Sequence, residues 1–150
     1  MRVVIQRVKY AEVIIDGKEK KYSGRGLMIL LGIENADEIN DVHWLVNKIL
    51  NLRIFNDKKG VMNHSLLDIQ GELMIISQFT LMAKTKKGNR PSYIRAACHE
   101  HAIPLYNSFI EYSQKFLSKP VVSGKFGSDM QIELINDGPV TIWIDSKNRE

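Results

Sequence analysis

MRVVIQRVKYAEVIIDGKEKKYSGRGLMILLGI, residues 1–33, is the stretch on which the fold turns. β-branched residues recur through 2–8 and 10–15, and Asp16-Gly17 supplies a hairpin turn into 18–23. Gly24-Arg25-Gly26 breaks the pattern, and Leu27 to Ile33 then runs apolar at interior-strand length. Four strands thus precede any helix. Working outward, Ile39, Val42, Leu45, Val46 and Ile49 repeat at helical spacing to Leu52, with Asp37 as the expected N-cap. Ile54-Phe55 reads as a short strand ended by the turn at 56–60, and Leu73 to Gln78 as another strand. Residues 84–92 form a polar loop. Leu105, Phe109, Tyr112 and Phe116 mark a second amphipathic helix, closed by Lys119-Pro120. Strands are expected at 121–123, 131–135 and 140–145. The order ββββ-α-ββ-α-βββ predicts an α/β chain with a helix-decorated, mostly antiparallel sheet rather than a doubly wound one.

Neither an internal repeat nor a Pro/Gly/Ser linker divides the 150 residues, so one domain, 1–150, is expected. Hydrophobic residues at 44% and charged residues at 25% are ordinary for a globular protein. No apolar run approaches the roughly 18 residues that cross a bilayer, and the first residues alternate instead of forming a signal peptide. With Cys98 as the one cysteine, a disulfide framework is excluded. A cytoplasmic location is the expectation. The net charge of +4 permits a nucleic-acid partner without requiring one. Its distribution says more: Lys84, Lys86, Lys87 and Arg90 share a short segment with no acid, and Lys18, Lys20, Lys21 and Arg25 gather around a turn. Either group is a solvated loop or a phosphate contact.

The strongly specific motifs are missing: no P-loop, no G-x-G-x-x-G, no G-x-S-x-G, no zinc spacing. Cys98-His99-Glu100-His101 looks like a metal or nucleophile cluster, but residues two apart diverge on a helix, so a helix start is expected there. His43 and His64 default to structural roles. Two quieter segments carry more. Ser77-Gln78-Phe79-Thr80-Leu81 sets three hydrogen-bonding side chains and successive backbone N–H groups where a buried strand meets a loop. It is either a plain strand end or an oxyanion site, with N–H groups aimed at charge developing on a carbonyl oxygen. Asn136-Asp137-Gly138-Pro139-Val140-Thr141 is either a plain turn between strands or something more. Gly before Pro is the least restricted X-Pro pair, because the usual clash needs a Cβ.

Together these segments resemble the two motifs of D-aminoacyl-tRNA deacylases of the bacterial and eukaryotic type. The similarity runs nearly end to end, through Met1 to Val8, Lys48 to Phe55, Ser65-Leu66-Leu67-Asp68, Thr85-Lys86-Lys87-Gly88, Arg90-Pro91-Ser92, Phe126-Gly127 and Asp129-Met130. His99-Glu100 departs from it, standing where the family often has proline then glutamate. The resemblance implies barrel-like, mostly antiparallel sheet layers with two main helices packed on one side. It implies a homodimer that hydrolyses the ester joining a D-amino acid to tRNA and spares L-aminoacyl-tRNA, with Ser77, Gln78, Phe79 and Thr80 as the catalytic segment. A cis Gly138-Pro139 would enter the partner's pocket and sense chirality, supported by Arg7 and Asn136, while Lys84, Lys86, Lys87 and Arg90 would contact tRNA. Glycyl-tRNA, with no side chain to exclude, is an expected second substrate. Neither cofactor nor metal is expected, and no membrane. The rival readings are a non-catalytic RNA-binding module, a thiol or serine hydrolase using Cys98 or Ser77, and a structural dimer module.

Overall fold

A computed structural model describes residues 1–150. The first hairpin forms as expected, but its first strand is unbroken: β1 spans Arg2–Ile15, β2 Glu19–Ser23 and β3 Gly26–Gly32. Lys9 is exposed, yet the chain stays extended through it, because β8 (Met130–Asp145) pairs antiparallel along nearly the whole of β1. β2 and β3 line up end to end on the other edge of β1, both antiparallel.

β6 (Glu72–Ser77) lies parallel to β3, with Gly26 opposite Glu72 and Leu31 opposite Ser77. β7 (Val122–Ser123) is parallel to β6. The sheet is therefore mixed, antiparallel around β1 and parallel beyond β3. β4 (Phe55–Asn56) and β5 (Met62–His64) form a separate small hairpin. The Lys21 ammonium of β2 donates to the Ser123 carbonyl of β7 at 3.1 Å, which draws the sheet towards closure.

β3 is buried on both faces, which its continuous apolar run foretells. Leu27, Ile29 and Leu31, with Leu73 and Ile75 of β6, belong to the core beneath the helices. Met28, with Met74 and Ile76, meets Val13 and Ile15 in a second core. β1 feeds both, Val3 and Ile5 entering the first and Val8, Ala11, Val13 and Ile15 the second. Register shifts against β8 at Gln6/Val8 and Val8/Ala11 mark where it bends from one to the other.

The helices α1 (Ile39–Asn51) and α2 (His99–Gln114) pack on each other and on the first core. Asp37 is not the N-cap of α1. Glu38 holds that position in a reciprocal capping box with Asp41. The buried Asp37 carboxylate instead accepts from the Glu34 N–H at 2.7 Å and from the Met1 ammonium. Helix α2 starts at His99, six residues before the first expected apolar anchor, so Cys98-His99-Glu100-His101 is a helix start.

Candidate active site

The end of β6 fixes the first motif. Gln78 N–H donates to the Leu31 carbonyl at 2.7 Å, extending the β3–β6 pairing by one residue before the chain turns. Phe79–Met82 then form a single 3-10 turn. Its first amides, Phe79 and Thr80, donate to no carbonyl among the turn and loop bonds, as expected at a helical start. The Arg2 guanidinium pins the turn from behind. It donates to the Leu81 carbonyl at 3.1 Å and, through Nε, to Asp145 at 2.9 Å. Burial works to raise the Asp145 carboxyl, but the Lys147 N–H and Arg2 outweigh it and hold it below the ordinary carboxylate value.

A cavity of about 370 Å³ opens against this turn, lined by Ser77, Gln78 and Phe79 on one side. Tyr93, His99, Phe126 and Gly127 are among the residues lining the rest. A second hollow of about 250 Å³ shares Ser77 to Phe79 and Gly127 and continues towards Met130 and Ile132. Thr80 lies just outside both; its hydroxyl accepts from the Gln78 side-chain amide at 2.6 Å. No histidine, lysine or carboxylate is hydrogen-bonded to the Thr80 or Ser77 hydroxyl.

The second motif sits elsewhere on the same chain. Strands 131–135 and 140–145, expected to be joined by a turn, are one strand, because both halves stay on β1. Val8 faces Asn136 and Gln6 faces Thr141, so residues 137–140 loop out opposite Arg7 alone. The Gly138-Pro139 bond in that loop is cis, and both residues are exposed.

Arg7 fills the loop from beneath. Its Nε donates to the Asp137 carbonyl at 2.9 Å, its Nη1 to the Ile54 carbonyl, and the Asp137 carboxylate lies 3.6 Å away. Gly138 has φ +122, and a Cβ there would stand 2.4 Å from Arg7 Nη2. Asn136 closes the loop, accepting from the Val140 N–H at 3.2 Å and donating to Gln6 at 2.8 Å. Neither Gly138 nor Pro139 lines the cavities at Ser77–Phe79 of its own chain.

A family model described as D-Tyr-tRNA(Tyr) deacylase matches residues 4–145. The chain belongs to this deacylase family. A D-aminoacyl-tRNA deacylase of Azobacteroides pseudotrichonymphae is 61% identical over 150 residues, the full length of both chains. One of Parabacteroides distasonis is 57% identical, again over the full length of both. Among solved structures, a c-Myc DNA unwinding element binding protein superposes with a TM-score of 0.90 at 42% identity, covering 97% of this chain and 98% of the other. A probable eukaryotic D-amino acid tRNA deacylase has a TM-score of 0.82 at 18% identity, covering 95% and 97%, a likeness of fold.

Within this deacylase fold, sequence reasoning missed Tyr93, His99 and Ala97 as cavity residues. No spacing points to them, since they arrive from a loop and a helix start far from residue 77. Phe126-Gly127 was visible only through the family resemblance. His99 and His101 do diverge: His99 packs edge-on against Phe126 at 5.5 Å, whereas the His101 ring meets the Asp37 carbonyl at 3.0 Å. Lys84, Lys86, Lys87 and Arg90 all lie exposed on one loop. No helix is long and apolar enough to cross a membrane.

Proposed function

We propose that the chain, acting as one domain within a cytoplasmic homodimer, hydrolyses the ester between a D-amino acid and the 3′-terminal adenosine of tRNA. The observation that carries this reading is the start of the 3-10 turn, where the Phe79 and Thr80 amides have no partner among the turn and loop carbonyls, with Phe79 lining a cavity in a member of the deacylase family. Water adds to the ester carbonyl carbon, and the resulting oxyanion takes its hydrogen bonds from those amides. The C–O bond then breaks, the ribose 3′ oxygen leaves with a proton, and the free amino acid departs. One such donor is typically worth about 2.7–4 kcal/mol in the transition state. The terminal 2′ hydroxyl is the assisting group, because no side chain stands ready to take a proton from Thr80 or Ser77.

Chirality is read by main chain. Gly138-Pro139 is exposed, and Arg7 holds the backbone beneath it. Pro139 fixes its own φ, so the segment is a stiff surface well suited to enter the pocket of a second copy. There it would stand where an L side chain projects and leave a D side chain free. Glycine has nothing to exclude, so glycyl-tRNA is cleaved as well. The exposed cations Lys84, Lys86, Lys87 and Arg90 contact phosphates, which gives affinity without sequence preference.

Incubation with D-tyrosyl-tRNA and L-tyrosyl-tRNA tests the reading: the D ester is cleaved and the L ester survives. Binding of tRNA without stereoselective cleavage would assign the chain to a non-catalytic RNA-binding role instead.

A further inference from the structure

We propose that Phe79 and Tyr93 form a stacking shelf for the unpaired cytidines that precede the terminal adenosine of tRNA, an inference that rests on the tRNA reading above. The two rings pack edge to face, with centroids 5.1 Å apart and planes at 76°. Both line the cavity, yet Phe79 is 57% exposed and Tyr93 38% exposed. Large aromatic faces open to water beside a mostly apolar cavity suit a flat partner, since every base offers a π face.

Position decides which partner. The loop between the two residues is pinned at its base, with Lys84 N–H to Ser92 carbonyl at 2.8 Å and Ser92 N–H to Lys84 carbonyl at 3.0 Å. Tyr93 therefore follows directly on a loop that carries Lys84, Lys86, Lys87 and Arg90 and no acid. The aromatic pair thus lines the cavity beside the Phe79 amide, and the cations lie outside it on the adjoining loop. The end of an aminoacyl-tRNA offers a counterpart to each: ester, unpaired bases, then the phosphates of the stem. Another aromatic pair with an exposed ring, Tyr10 and Tyr22, lacks this fit. Its Tyr10 hydroxyl donates to Glu133 at 2.9 Å, an acidic setting that repels a phosphate chain.

The experiment measures affinity for uncharged tRNA and for the same tRNA with both cytidines made abasic, leaving the terminal adenosine and every phosphate in place. The native chain should bind the abasic RNA roughly tenfold more weakly, the scale of one stacked base. Tyr93→Ala should bind both RNAs alike, and Tyr93→Phe should restore the difference. The proposal is overturned if Tyr93→Ala keeps the tenfold difference, or if the native chain does not distinguish the two RNAs. It is overturned equally if sedimentation shows that Tyr93→Ala breaks an oligomer, which would make the shelf a contact between copies. Because the RNA is uncharged, these outcomes are independent of stereoselective cleavage, whose absence would sink the functional reading by itself.

Discussion

Gly138→Ala should cost stability in two separable ways. A φ of +122 is a backbone state that an L residue adopts only at a penalty of about 1–3 kcal/mol. In addition, the new Cβ would stand 2.4 Å from Arg7 Nη2, well inside contact distance. The guanidinium cannot simply retreat, because its Nε and Nη1 are committed to the Asp137 and Ile54 carbonyls. Relief of the clash breaks at least one hydrogen bond from a charged donor, about 1.5–3 kcal/mol more. Gly60→Ala isolates the first component: Gly60 also has a positive φ, at +81, but nothing lies within 4 Å of the Cβ position. Urea titrations of the two variants, compared through midpoint and slope, should place Gly138→Ala below Gly60→Ala by roughly the hydrogen-bond increment. The ratio of D- to L-tyrosyl-tRNA cleavage should fall in Gly138→Ala alone. Equal destabilisation of the two variants would show that Arg7 is not a fixed support, and the argument for a rigid chirality sensor would fail with it.

Thr80→Ala should keep deacylation within about tenfold of native, since the backbone amides supply the larger stabilisation; trapping of an acyl group on Thr80 would refute this. Lys86→Ala with Lys87→Ala should weaken tRNA binding and flatten its salt dependence by a slope of about two, which filter binding at several salt concentrations reads directly. An unchanged slope would return the loop to a merely solvated one. Acid should destabilise the fold through Asp41 and Asp145. Burial pulls both carboxyls upward, but the Lys147 ammonium at 2.7 Å and the Glu38 N–H hold Asp41 low, as the Lys147 N–H and Arg2 hold Asp145. Their contribution is therefore complete above the ordinary carboxylate value of about 4 and is lost as pH falls through the lower folded values. Lys147→Met should flatten unfolding midpoints plotted against pH in that acid range, and an unaltered profile would contradict the assignment.

Much of this was legible because local pattern and tertiary context agree. The buried β3 run, the 3.6-residue stripe of α1 and the Asp16-Gly17 turn are local signals, and each element stands where it was expected. Where the two diverge, the sequence misleads. Lys9 and Gly138-Pro139 look like interruptions, yet a long neighbouring strand carries the pairing past both. Asp37 looks like a cap, but a buried ammonium from 36 residues away claims its carboxylate. The start of α2 was legible only through Cys98-His99-Glu100-His101, because Pro104 and a polar first turn hide the helical period between there and Leu105. The segments 77–80 and 136–141 were visible as motifs, whereas the cavity walls from Tyr93, Ala97 and His99 exist only once α2 is docked.

Gly26 bears on the other end of β6. An added methyl group there would fall 1.8 Å from the Glu72 carbonyl oxygen, so the two strands can begin side by side only because position 26 carries no side chain. From that origin the ladder advances in step, Gly26 with Glu72 through to Leu31 with Ser77. β6 thus behaves as a ruler with its zero mark at a glycine. An error at that mark would be carried undiminished along the strand, so the depth of the pocket is calibrated at its opposite end.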